Sequence, residues 1–236
     1  VTWLLMQPFG RMTAVAGCSL FGIMHLGYGT EMSLQRDFIV ILPIATALLI
    51  AIWRTPNHSA NLTNFLFGIL FALVILIKPY HAIGLPVLVI YTCIDDGNNT
   101  LKTLIKPCII RGGFALFGFL LVLTIPFLWL WQIEALSAFG DIFSSYTQLY
   151  AQISGDLKVR DTFSHVVYTL YKYTDHKKLG ILMLASTFGT YMFVTRSKSI
   201  AAKHLSILLF LFCILHAISA GIGGKVWDYH MIPYMY

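Results

Sequence analysis

The chain holds 236 residues, of which 58% are hydrophobic and only 11% charged, with a mean hydropathy of +0.76. That is too apolar for a water-soluble domain and predicts a polytopic membrane protein organised as one helical bundle. The net charge of +6 would suit nucleic acid, but the basic residues are scattered between apolar spans with no basic stripe or stacking platform. Nucleic acid is therefore excluded as a partner, and lipid headgroups are the better counter-charge.

In chain order, Val1-Thr2-Trp3-Leu4-Leu5 carries no initiator Met and no signal-peptide pattern. At the other end Met231-Ile232-Pro233-Tyr234-Met235-Tyr236 reads as the start of another apolar span, so both ends are expected to be truncated. Between them, apolar spans are predicted at about 13–28, 38–53, 62–77, 82–94, 110–131, 179–195 and 205–222. The expected fold is all-α, a transmembrane bundle of about seven spans forming one domain over 1–236. Residues 62–94 cannot form a single helix, because it would run about 50 Å against a hydrocarbon core of about 30 Å. The break is expected at Lys78-Pro79.

Segment 132–178 is too long for an incidental connection. Within it Phe163, Val166, Val167, Leu170 and Tyr171 recur at helical spacing, with His165, Lys172 and Asp175 interspersed. This predicts an amphipathic helix on the membrane surface, either shaping a lipid-substrate entrance or capping the bundle. Of the cysteines, Cys18 and Cys213 fall inside spans while Cys93 and Cys108 flank a short polar loop. No His/Cys metal spacing appears, and all read as small buried hydrophobes.

Basic residues give the orientation. One set of connections holds Arg11, Arg54, Lys102, Lys106, Arg111, Arg196, Lys198 and Lys203, and the short connections of the other set hold only Arg36, Lys78 and Lys225. The first set reads as cytoplasmic, although Lys158, Arg160, Lys172, Lys177 and Lys178 in the long loop soften the bias. The 132–178 loop then becomes extracytoplasmic, and the sequons at Asn57, Asn61 and Asn98 fall on the cytoplasmic side as chance matches.

Cations that interrupt apolar sequence at membrane depth are costly unless paired or solvated, so each marks a candidate site. After Gly223-Gly224, Lys225 offers a compact charge suited to phosphate, and His230 can donate a hydrogen bond or shuttle a proton. The structural alternative is that Lys225 snorkels to headgroups while Trp227 and Tyr229 anchor the interface. Lys78-Pro79-Tyr80-His81 sits at an analogous depth on the same predicted face, where proline would hold Lys78 and His81 at the bundle mouth. An interfacial lysine beside a proline-terminated helix explains it equally. Glu31, Asp37, Asp141, Asp156 and Asp161 could act as bases or merely pair with neighbouring cations. His25 and His216 fall within spans, where a neutral histidine bonded to a neighbouring helix is the expectation.

Gly224-Lys225-Val226-Trp227-Asp228-Tyr229-His230-Met231-Ile232-Pro233 resembles the Gly-Lys-Gly-aromatic-x-Tyr-His-x-x-Pro segment of bacterial polytopic glycosyltransferases of the GT-C superfamily, relatives of the protein mannosyltransferases. Gln35-Arg36-Asp37 with Leu42-Pro43, and Ile77-Lys78-Pro79-Tyr80-His81, resemble two further segments of that superfamily in the expected order. Val226 replaces the usual glycine and Asp37 the usual glutamate. The acidic motif of the first extracytoplasmic loop would lie before Val1, so the resemblance puts the general base upstream of this sequence.

What the resemblance implies is a membrane transferase of the cell envelope that moves a hexosyl or pentosyl group from a polyprenyl-phosphate donor to a glycan, lipid or protein acceptor. It would sit in the bacterial cytoplasmic membrane and work on the extracytoplasmic side. Lys225, Lys78 and Arg36 would bind the donor phosphate, and His230, His81, Tyr229 and Asp228 would orient donor or sugar. No cofactor is demanded, and a divalent cation would need ligands not visible here. The competing expectation is a secondary transporter or a flippase for lipid-linked sugars, and a third is a non-catalytic assembly subunit.

Overall fold

The computed structural model describes residues 2–28, 36–54, 59–95, 101–146, 163–164, 167–168, 171 and 179–222. Among them the chain is helical throughout, without a strand. The helices are α1 (Thr2–Met6), α2 (Arg11–Tyr28), α3 (Arg36–Trp53), α4 (Ala60–Ile77), α5 (Leu85–Asp95), α6 (Leu101–Gln132), α7 (Leu136–Asp141), α8 (Leu179–Arg196) and α9 (Ile200–Ile222). Short 3₁₀ turns occupy Gln7–Phe9 and Pro79–Gly84, and a π-helical turn covers Ile142–Tyr146.

A helix stands at each position where a span was expected. Ala60–Ile77, Lys102–Gln132 and Ile200–Ile218 are long and apolar enough to cross a membrane, and shorter apolar stretches lie at Arg11–Ile23, Ile39–Trp53 and Pro79–Ile94. The surface fits apolar surroundings. On α6 alone Ile109, Phe117, Leu121, Ile125, Leu128 and Trp131 are exposed, far more contiguous apolar surface than water tolerates. Exposed hydroxyls turn back onto their own helices: Thr46 to the Leu42 carbonyl at 2.8 Å, Thr124 to Leu120 at 2.8 Å and Thr187 to Met183 at 2.8 Å. That is where a hydroxyl must go without water to bond it.

The core joins α3, α4, α5 and α9 through Val40, Leu48, Phe67, Phe71, Leu88, Leu208 and Phe212, all buried, with Leu5 of α1 closing one side. Helix α4 begins where Ser59 accepts the Leu62 N–H. It lies so close to α6 that a Cβ at Gly68 would overlap the Ala115 carbonyl, and one at Gly118 the Phe65 carbonyl. Small residues admit this backbone approach, the usual device of helix pairs in lipid.

Helices α4 and α5 run antiparallel. Asn64 meets Thr92 at one end of the α4/α5 pair, and Phe71 lies beside Gly84 toward the other. Helix α5 runs antiparallel to α6, with Ala82, Pro86 and Ile90 sharing a cleft with Phe119, Leu116 and Gly112. Helix α6 is longer than the expected 110–131 span, since Pro107 and Pro126 are both accommodated inside it. Lys102 and Lys106 ride exposed on its first turns.

In the long loop, α6 ends at a turn where Glu134 takes a positive φ of 57°, and α7 follows. Phe163, Ser164, Val167, Tyr168 and Tyr171 are helical and line one shallow cleft. The rest of 147–178 lies outside the described residues.

Candidate functional site

The break in the 62–94 stretch falls where the sequence places it. A residue before proline is pushed out of the helical region, and Lys78 adopts φ −148°, ψ 105°. Its N–H still bonds the Val74 carbonyl at 2.8 Å, so α4 ends with its last turn intact. Pro79 then opens the 3₁₀ turn, where its fixed φ fits and its missing N–H costs nothing.

The turn drives His81 inward. Its side chain is 2% exposed and stacks on His216 of α9, with ring centroids 5.4 Å apart and planes 17° from parallel. His216 in turn stacks on Phe212 at 5.3 Å. Gly84 closes the column from below: a Cβ there would stand 2.9 Å from the Phe212 ring. His216 Nδ1 donates to the Phe212 carbonyl at 2.9 Å, while Nε2 is buried with no hydrogen-bond partner among the described residues. A buried polar nitrogen without a partner is costly, which makes it a natural anchor for a further group.

The packing register shows which chain ends meet here. Gly84 faces Phe212, and Val87, Tyr91 and Ile94 share a cleft with Leu211, Leu208 and His204, so α5 and α9 are antiparallel. Helix α9 continues past His216 to Ile222, a further 222 − 216 = 6 residues or about 9 Å at helical rise, toward the Lys78 level. Lys225 follows Ile222 by three residues in sequence. On the other side, residues 54–59 connect α3 to α4, and so short a link makes the two helices antiparallel neighbours. The start of α3 at Arg36 therefore lies at the Lys78 end as well.

Of the residues expected at the bundle mouth, Lys78 is half-buried there, whereas His81 is turned into the bundle and meets Lys78 only through its N–H on the Lys78 carbonyl at 3.3 Å. Arg36 opens α3, but its side chain and that of Asp37 lie outside the described residues, as do Lys225, Asp228, Tyr229 and His230 entirely. Glu31, Asp156 and Asp161 are likewise outside, and Asp141 is exposed at the end of α7. His216 was read from the sequence as a structural histidine and not as a site residue. It was expected to bond a neighbouring helix, yet its hydrogen bond is to its own helix and its contact with the neighbour is a stacked ring. The Phe212-x-x-x-His216 spacing, which puts both rings on one helix face, was the available signal.

The opposite end of the bundle holds a second polar cluster. Asn64 is fully buried and donates to the Ala60 carbonyl at 2.8 Å and to Thr92 Oγ1 at 3.1 Å, while Thr92 donates to the Val89 carbonyl at 2.8 Å. Arg111, read from sequence as a headgroup-facing cation, instead donates to the Thr92 carbonyl at 2.6 Å. No group of three or more His, Cys, Asp or Glu side chains converges among the described residues.

No family model matches the chain, and neither the curated proteins nor the solved structures give a match.

Proposed function

We propose that the chain is part of a multi-pass membrane glycosyltransferase of GT-C type, with its site at the Lys78 end of the bundle. The observation that carries the reading is the Pro79–Gly84 turn seated on α9 through His81 and His216. It seats the Lys78 segment on α9, the helix that precedes Gly223-Gly224-Lys225 in the sequence. In this reading all the helices expected as spans cross the bilayer, and the Lys78 end and the 132–178 loop face the extracytoplasmic side of a bacterial cytoplasmic membrane.

The acceptor hydroxyl attacks the anomeric carbon of a polyprenyl-phosphate sugar, and the bond from that carbon to the phosphate oxygen breaks. Lipid phosphate leaves with the electron pair, and the hydroxyl proton passes to a carboxylate acting as general base. Lys225, with Lys78 and Arg36, stabilises the charge that grows on the departing phosphate. His81, His230, Tyr229 and Asp228 orient phosphate and sugar.

Purified full-length protein in detergent, given a panel of polyprenyl-phosphate sugars and membrane extract as acceptor, should release free lipid phosphate, followed by mass spectrometry. Lys225→Ala should lower that turnover by roughly 10- to 150-fold, the equivalent of a charge-assisted contact of about 1.5–3 kcal/mol, with protein abundance unchanged. Undiminished turnover in this variant would return Lys225 to an interfacial anchor.

A second reading has its own observation. A helix interrupted at Lys78 beside a buried stacked histidine pair is also how transporters build ion or substrate sites. Sealed vesicles that accumulate sugar or flip its lipid carrier, with no donor cleaved in detergent, would establish transport instead.

A further inference from the structure

The α5/α6 pair brings two thiols together at the end remote from Lys78. The helices run antiparallel, residues of 82–90 and of 112–119 line a common cleft, and the Arg111 guanidinium reaches across to the Thr92 carbonyl at 2.6 Å. Cys93 follows Thr92 on α5 and Cys108 precedes Arg111 by one turn on α6, so the two thiol side chains meet where the helices are tied. Cys93 is wholly buried, whereas Cys108 is partly exposed. Arg111, one turn beyond Cys108 on α6, keeps a fixed cation next to the pair. The glycosyl-transfer reading uses neither sulfur, so the two questions are independent.

We propose that Cys93 and Cys108 form an oxidisable dithiol, which an organic hydroperoxide converts into an intrachain disulfide that fastens the end of α5 to α6. Cys108, the accessible member, attacks the O–O bond of ROOH, becoming a sulfenic acid as the alcohol ROH departs. The Cys93 thiol then displaces the sulfenic hydroxyl, the S–S bond forms and one water leaves. The two thiols supply two electrons, and the hydroperoxide takes both. The same two helices enclose an apolar cleft of about 420 Å³, lined by Leu85, Val89, Ile90, Gly112, Leu116 and Phe119, which suits an oxidant that partitions into lipid.

The test treats the full chain in detergent with cumene hydroperoxide, blocks remaining thiols with N-ethylmaleimide, and maps unreduced peptides by mass spectrometry. The expected result is a peptide containing Cys93 joined to one containing Cys108, with two of the four cysteines withdrawn from alkylation and restored by dithiothreitol. Cys93→Ser should trap Cys108 as a sulfenic acid that dimedone labels, and Cys108→Ser should leave Cys93 unmodified. Alkylation of both cysteines after peroxide treatment, or linkage of Cys108 to Cys18 or Cys213, overturns the proposal. The unsubstituted protein decides the matter even where a serine variant does not fold.

Discussion

The two ends of this bundle both bury polar side chains, and they hold them in different ways. At the Asn64 end, short directed hydrogen bonds tie α4 to α5 and α5 to α6: Asn64 to Thr92 Oγ1, and Arg111 to the Thr92 carbonyl. That carbonyl is among the last four of α5, which have no partner within the helix, so Arg111 supplies what the helix end lacks. At the Lys78 end, the contact between elements is a stack of rings, and His216 Nε2 has no partner among the described residues. Each end also leaves one buried atom without a hydrogen-bond partner among the described residues, Asn64 Oδ1 at the first and His216 Nε2 at the second, but only the first ties its helices together by directed hydrogen bonds.

Substitutions should separate the two. The largest loss of stability is expected for Arg111→Met, which keeps most of the apolar stem but strips a charged donor from the Thr92 carbonyl. The cost should be about 1.5–3 kcal/mol, read as a shift in the unfolding midpoint of detergent-solubilised protein. An unchanged midpoint would end the claim that this end is a structural clasp. Next, Thr92→Val removes a hydroxyl that both accepts from Asn64 and donates to Val89. A loss of about 1 kcal/mol is expected, smaller because the Asn64 amide keeps the Ala60 carbonyl.

The smallest effect on stability belongs to His216→Phe. The ring stack survives, and an apolar ring replaces a buried nitrogen without a partner, so the midpoint should move by less than about 1 kcal/mol. Donor turnover, in contrast, should fall about tenfold if Nε2 takes a hydrogen bond from donor, sugar or a site residue. A variant with full turnover would make the stack ordinary packing and erase the contrast between the ends.

Much of the helical layout was legible because its causes are local. Apolar runs of the right length made helices at every expected position, and Pro79 ended α4 at Ile77 and held Lys78 extended for steric reasons confined to two residues. The site was less legible. Lys78 and His81 stood out because charge and proline interrupt apolar sequence, whereas His216 sits inside an apolar run and looks like any histidine in a span.

The sequence by itself determined the all-helical class, the apolar character that suits a membrane, and the interruption at Lys78-Pro79, since periodicity, hydropathy and proline sterics act within a few residues. Only the tertiary structure decided that His81 meets His216, that Arg111 turns to Thr92 and that Cys93 faces Cys108. Their chain separations are 216 − 81 = 135, 111 − 92 = 19 and 108 − 93 = 15 residues. Such meetings depend on which face each helix presents and where two helices cross. In α4 and α6 that crossing is set by Gly68 and Gly118, whose missing side chains let the two backbones touch.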